Sequence, residues 1–291
     1  MTTALERVLD LLDLEPIEVN LFRGRSPQED RQRVFGGQVL AQALVAAGRT
    51  VEDRSAHSFH GYFLRPGDPS VPILYEVDRI RDGRSFTTRR VVAIQHGRAI
   101  FNMSVSFQVE EDGLEHQAPM PDAPSPDALP SQEEANLELV KDAPPEMRDW
   151  FDRDRAFEER AVHPINWFRP EKKDPVQQIW IKTTERLPDD LPLHQAVLAY
   201  ASDMSLLDTS SMPHGLSYFD PRSQIASLDH AMWFHRPVRV DDWLLYATDS
   251  PSASNSRGFN RGTIYTRDGS LVASVTQEGL IRQHAKAPKP K

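Results

Sequence analysis

The 291-residue sequence predicts an α+β fold of antiparallel sheet written twice. Three observations predict it: a helical pattern is followed by a run of long strands, tight turns join those strands, and one set of motifs recurs in order. Tyr62-Phe63-Leu64-Arg65-Pro66 returns as Trp233-Phe234-His235-Arg236-Pro237. Gln38, in Phe35-Gly36-Gly37-Gln38-Val39-Leu40, is answered by Gln195 in Leu193-His194-Gln195-Ala196-Val197-Leu198. Gly83-Arg84-Ser85-Phe86 corresponds to Ser256-Arg257-Gly258-Phe259, and His96-Gly97-Arg98 to Asp268-Gly269-Ser270. The offset grows from 157 residues at the glutamines (38 to 195) to 171 at the arginines (65 to 236) and 173 at the phenylalanines (86 to 259). The second copy therefore holds about 14 extra residues between its helix and its next strand, a length that suits a lid or binding wall.

In chain order, Leu5 to Leu14 has amphipathic helical spacing and Ile17 to Phe22 reads as a strand. Gly37 to Ala47 is the first repeat's helix, with Leu40, Ala43, Leu44 and Ala47 on one face. Strands are expected over Ser58 to Leu64, Ile73 to Ile80, Ser85 to Gln95 and Arg98 to Val109, separated by the turns Arg81-Asp82-Gly83 and Gln95-His96-Gly97. From Glu110 to about Glu159 the chain turns acidic and proline-rich, and reads as a connector whose aromatic residues Trp150, Phe151 and Phe157 dock its later part. The second copy follows, with a strand over Gln178 to Thr184, a helix over Pro192 to Leu207 and strands Ser227 to His235 and Ser270 to Gln277. The expected organisation is thus a first repeat over 1–112, a connector over 113–159, a second repeat over 160–285 and a polar tail over 286–291.

Composition limits the function. A net charge of −9 argues against nucleic-acid binding, which needs a basic surface to displace counterions. Without cysteine the chain has no disulfide, zinc-thiolate site or thiol nucleophile. No apolar signal core or bilayer-length apolar span occurs, so a cytoplasmic protein without membrane insertion is expected. The ending Ala287-Pro288-Lys289-Pro290-Lys291 differs from a Ser-Lys-Leu peroxisomal address.

The repeats differ where chemistry is expected. Val197, Tyr200, Ala201 and Met204 form an apolar stripe on the second helix, flanked by Asp203; the first helix has Ala46 at that position. A carboxylate beside a packed face is costly unless it is hydrogen-bonded or functional. Gln277 shares a strand face with Leu271, Ala273 and Val275, and Val105 is its first-copy counterpart. From these helix and strand positions alone, a helix-capping aspartate and a strand-end glutamine remain open readings.

The segments Ala199-Tyr200-Ala201-Ser202-Asp203, Ile225 through Pro237, Ser252 through Phe259, Gln277-Glu278-Gly279 and His57 through Asp68 resemble acyl-CoA thioesterase II, the TesB-type family. The resemblance implies a double hotdog, in which two long helices are each wrapped by a curved antiparallel sheet and the sheets fuse. It also implies hydrolysis of acyl-CoA to fatty acid and coenzyme A without a cofactor, and assembly into a homo-oligomer. The family's catalytic set falls on Asp203, Ser227 and Gln277, with serine keeping the hydroxyl of the alternative threonine. Such a set can orient a water: Asp203 as base, Ser227 and Gln277 as complementary donors and acceptors. An acyl-serine route is weaker, because no Gly-x-Ser-x-Gly elbow surrounds Ser227 and three residues of strand place His230 on the other face. The pairs His57/His60 and His230/His235 read as packing or hydrogen-bonding residues rather than metal ligands. Arg257 and Arg261 are candidate partners of coenzyme A phosphates. A hotdog enoyl-CoA hydratase and a non-catalytic acyl-CoA-binding protein are the alternatives.

Overall fold

The structure, a computed structural model, describes residues 2–27, 33–151 and 153–286. Helix α1 (Ala4–Leu12) starts in a capping box, the Glu6 amide donating to the Thr3 hydroxyl and the Thr3 amide to the Glu6 carboxylate. The single strand expected over Ile17–Phe22 is instead a hairpin of β1 (Glu15–Glu18) and β2 (Leu21–Gly24), because Asn20 turns the chain at φ 65°. Then come α2 (Gly36–Gly48), β3 (Ser55–Phe63), β4 (Ile73–Asp82), β5 (Phe86–Gln95) and β6 (Arg98–Gln108). After α3 (Gln132–Leu139) in the connector, the second half supplies β7 (Phe157–Ala161), β8 (Val176–Thr183), α4 (Leu191–Ser202) and α5 (Asp208–Ser211). It ends with β9 (Ser223–Ser227), β10 (Asp229–Phe234), β11 (Leu244–Ser254), β12 (Arg257–Thr266) and β13 (Leu271–Gln283).

All the strands join one open antiparallel sheet in the order β1-β2-β4-β5-β6-β3-β10-β13-β12-β11-β8-β7, with β9 also on β13. Read outward from the centre, each half has the same strand sequence, so the fold is the expected double hotdog. The halves meet at β3 and β10, where Tyr62 lies opposite Asp229 and Ser58 opposite Trp233. The doubled arginine does one job twice. Arg65 donates to the Ala99 carbonyl, and Arg236 donates to that of Leu271, pinning the strap after each central strand to the next hairpin.

Helices α2 and α4 pack side by side against the sheet, with Leu40, Ala43, Leu44 and Ala47 of one and Ala196, Val197, Leu198 and Ala201 of the other in the core. Their alanines and glycines bring the backbones close: a Cβ on Gly37 would meet the Tyr200 carbonyl oxygen at 2.4 Å. Thus the start of α2 meets the end of α4. At the other end of the pair, the end of α2 and the start of α4 border a cavity of about 680 Å³ lined by Val45, Arg49, Ala56, Phe107, Asp190 and Leu193, among others.

Three expectations about the second half are corrected. Helix α4 ends at Ser202 rather than Leu207, so Met204 leaves the apolar stripe and is exposed. Strand β13 continues past Gln277 to Gln283, because β9 pairs with its last residues. The strand expected unbroken from Ser227 to His235 is interrupted at Leu228. Ser227 faces Gly279 while Ala231 faces Thr276, so four steps on this strand match three on β13, the signature of a one-residue bulge.

The connector crosses the outer face of the second half. Its Asp122 and Pro124 carbonyls accept from the Gln178 amide and the Trp180 indole, and Met120 and Leu129 pack on Trp180, Leu245 and Tyr265. Phe151 and Phe157 are buried as expected, while the Trp150 side chain lies outside the described residues, as does the tail from 287 onward.

Candidate active site

Asp203 is the C-cap of α4, with its side chain 5% exposed. A carboxylate there sits at the unfavourable negative end of its own helix dipole. The opposing helix supplies the compensation, because the first turn of α2 abuts it. A Cβ on Gly36 would lie 2.6 Å from Asp203 Oδ2, so only glycine lets the α2 backbone approach this closely. Phe35, the N-cap of α2, contributes no side-chain hydrogen bond to that first turn.

Gln277 lies on β13 with its side chain toward the helices and is fully buried. Its amide nitrogen donates to Asp203 Oδ1 at 2.6 Å and to His230 Nδ1 at 3.2 Å, whereas its Oε1 is buried without a hydrogen-bond partner. The backbone beneath is held by Asn260 of β12, whose amide donates to the Gln277 carbonyl and whose Oδ1 accepts from the Ser210 amide. Ser227 lies opposite Gly279, two residues beyond Gln277 on the same face of the sheet. Its hydroxyl makes no hydrogen bond among the described residues. Of the three residues anticipated from the sequence, Asp203 at the end of α4 and Gln277 in the middle of β13 are hydrogen-bonded, while Ser227 at the end of β9 lies on the same sheet face two residues further along.

His230 joins them against expectation. The bulge at Leu228 adds one residue between Ser227 and His230, which cancels the alternation and returns the imidazole to the helix-facing side. It is fully buried, with Nδ1 3.6 Å from Asp203 Oδ1 and Nε2 3.0 Å from the Ser202 hydroxyl. The sequence signal that could have found it is the pairing with Phe59, since the first copy has a wholly apolar residue where the second has a histidine. The other histidines stay outside: His60 packs edge-on against Trp233, and His235 contacts Ser274 at the surface.

Arg257 and Arg261 are not brought to this centre. They alternate with buried Gly258 and Asn260 on β12 and so face the outer side of the sheet, where Arg257 pairs with Glu278 and Arg261 with Asp249. Among the described residues no group of three or more histidines and carboxylates is placed to hold a metal.

The insertion between α4 and β9 adds a second carboxylate. Burial pushes the Asp208 carboxyl up to about 7, against the downward pull of its hydrogen bond with Tyr218, and the charges of Glu159 and Asp203 raise it further.

Comparison with known proteins gives a consistent picture. A family profile described as acyl-CoA thioesterase matches residues 147–280, and one described as acyl-CoA thioesterase N-terminal domain matches 25–108. The chain is 40% identical to acyl-CoA thioesterase 2 of Haemophilus influenzae, over 97% of this chain and 99% of that protein. It is 39% identical to human acyl-coenzyme A thioesterase 8, over 94% of this chain and 88% of the relative. The crystal structure of acyl-CoA thioesterase II TesB2 from Mycobacterium marinum superposes with a TM-score of 0.79 at 43% identity, covering 96% of this chain and 99% of that one.

Proposed function

Because the chain belongs to the acyl-CoA thioesterase family and hydrolyses acyl-CoA thioesters, we propose that Asp203, Ser227 and Gln277 hold and activate the attacking water where the two helices meet. The observation that carries this reading is the Gln277 amide. Its nitrogen is committed to Asp203 and His230, which leaves a buried, unpartnered carbonyl oxygen beside a carboxylate. A water between them can donate one hydrogen to Asp203 and the other to Gln277 Oε1, with the Ser227 hydroxyl as a further polar contact.

The reaction then balances simply. The water oxygen attacks the thioester carbon as its proton passes to Asp203, the tetrahedral oxyanion collapses, the carbon–sulfur bond breaks, and Asp203 returns the proton to the coenzyme A thiolate. The oxyanion is stabilised by amides of the open first turn of α2, at the positive end of that helix and against Asp203. This division assigns the base to the second half and the oxyanion donors to the first. Hydrolysis, rather than hydration or simple binding, is the activity shared by the named relatives.

Arg257 and Arg261 keep a place in this reading only as outer-face cations, since a coenzyme A phosphate would have to displace Glu278 or Asp249. A homo-oligomer belongs to the same reading, supported by apolar side chains exposed on the outer strands, Ile80 of β4 and Val176 of β8. Sedimentation velocity checks it, and a monomer at micromolar concentration overturns it. No described helix is long and apolar enough to cross a membrane, and cytoplasmic residence is proposed from the cysteine-free composition. The mechanism is tested by thiol release from acyl-CoAs of graded chain length, by the wild type and by Asp203→Asn. Loss of about three orders of magnitude in kcat is expected for the variant. Undiminished release removes Asp203 from the chemistry.

A further inference from the structure

The fully buried His230 has no part in the water-activating set, yet it sits in the middle of its hydrogen bonds. The donor and acceptor at each contact can be deduced. The Ser202 hydroxyl has one hydrogen, and that hydrogen goes to the Ala199 carbonyl at 2.9 Å. With its hydrogen on the Ala199 carbonyl, which can only accept, Ser202 accepts from His230 Nε2 at 3.0 Å, and this arrangement puts the ring proton on Nε2. A neutral ring protonated at Nε2 leaves Nδ1 as an acceptor, and of the two groups that face it, the Gln277 amide at 3.2 Å can donate while the Asp203 carboxylate oxygen at 3.6 Å cannot.

That order fixes Gln277. A free amide can rotate by half a turn and exchange its oxygen for its nitrogen, and Asp203 alone requires only one of the two amide hydrogens. With Nδ1 accepting the second hydrogen, the flipped amide would point its oxygen at two acceptors, Asp203 Oδ1 and His230 Nδ1. Only one orientation survives, the one that leaves Oε1 as the unpartnered acceptor.

We propose that His230 is a positioning residue for hydrolysis: with Ser202 it locks the Gln277 amide so that Oε1 is held as the acceptor for the attacking water. The inference rests on the role given to Gln277 above and adds what orients it. The ring is itself held in place, stacked on Phe59 of the first half with centroids 6.0 Å apart.

A double-mutant cycle tests this. His230→Phe keeps a ring against Phe59 and removes both nitrogens; kcat is expected to fall about thirtyfold, with KM changed less than about threefold, the scale on which outer-shell partners act. His230→Asn, whose side-chain oxygen can accept near the place of Nδ1, is expected to recover about a third of that loss on a logarithmic scale or more. In a Gln277→Ala background, His230→Phe should cost less than about twofold, because the residue it positions is gone. If the two losses multiply, or Asn is no better than Phe, the proposal fails. Should Gln277→Ala itself retain full activity, the reading of Gln277 fails instead. A measurement independent of turnover covers a variant that does not fold: nitrogen NMR of the histidine-labelled wild type at neutral pH should show one buried imidazole protonated at Nε2 and bare at Nδ1. An imidazolium or the opposite tautomer at His230 overturns the inference.

Discussion

In the first half Val45, Ala46, Ala56, Phe59 and Val105 stand where the second half has Ser202, Asp203, Ser227, His230 and Gln277. The helices align by 157 residues and the strands by 171 or 172, and both central strands carry an irregularity at the matching place, after Ala56 and after Ser227. Each of these polar side chains at one end of the helix pair is therefore an apolar one at the other. The backbone plan tolerates either set. What differs is that the polar residues come together: Asp203, Gln277, His230 and Ser202 form one hydrogen-bonded chain that leaves Gln277 Oε1 unpartnered, and the bonds made lower the cost of burial. At the other end the equivalent ground is the 680 Å³ cavity, where Val45, Ala56 and Phe107 share the wall with Arg49, Asp190 and Gln195.

This comparison can be broken or sharpened experimentally. Giving the second half the first half's residue, Gln277→Val, should lower kcat about a hundredfold, the scale of one lost polar contact to a transition state. Thermal unfolding should show the fold intact, because Val105 already fits the equivalent position; comparable turnover would mean that the polar difference is not catalytic. The reverse exchange, Ala46→Asp, places a carboxylate at a fully buried position where Val45, Ala56, Phe59 and Val105 stand in place of the second half's Ser202, Ser227, His230 and Gln277. Urea unfolding should report a loss of about 3 kcal/mol, and in an Asp203→Ala background no hydrolysis should reappear. A stable or active double variant would show that one acid is enough to make a site.

The insertion unique to the second half gives a smaller effect, set by pH. The Asp208 carboxyl is raised to about 7, so its neutral form is favoured in the folded state. The stability linked to that proton is fully present below the usual carboxylate range near 4 and is lost as pH rises through 7. Asp208→Asn should therefore stabilise by about 2 kcal/mol at pH 8 and leave stability unchanged near pH 4. A Tm difference independent of pH would place the titration elsewhere. The smallest effect is expected at Arg261, paired with Asp249 on the outer face. Arg261→Ala should change KM by less than about twofold, as an exposed ion pair contributes little. A tenfold rise would instead restore this arginine as a coenzyme A contact.

Much of this was legible in the chain. The doubled Arg-Pro strap and the paired glutamines give the repeat, and placing Asp203 against Ala46 and Gln277 against Val105 gives two members of the proposed site. His230 was not legible, because strand alternation assumes an unbroken ladder and one extra residue at Leu228 reverses it. The end of α4 is hidden for a related reason: Met204 and Leu207 continue an apolar period after the helix has stopped. Residue type alone points to Arg257 and Arg261 as phosphate partners, whereas their strand face directs them away from the helices.

By itself the sequence determined the duplication, the antiparallel α+β plan and the half that carries the polar set, because these are properties of order and periodicity. Tertiary structure alone decided that the end of α4 meets the start of α2, that Gly36 lets that backbone reach Asp203, and that a bulge turns His230 inward. Those outcomes depend on contacts between residues far apart in the chain and on a single residue's change of register. No local pattern encodes either.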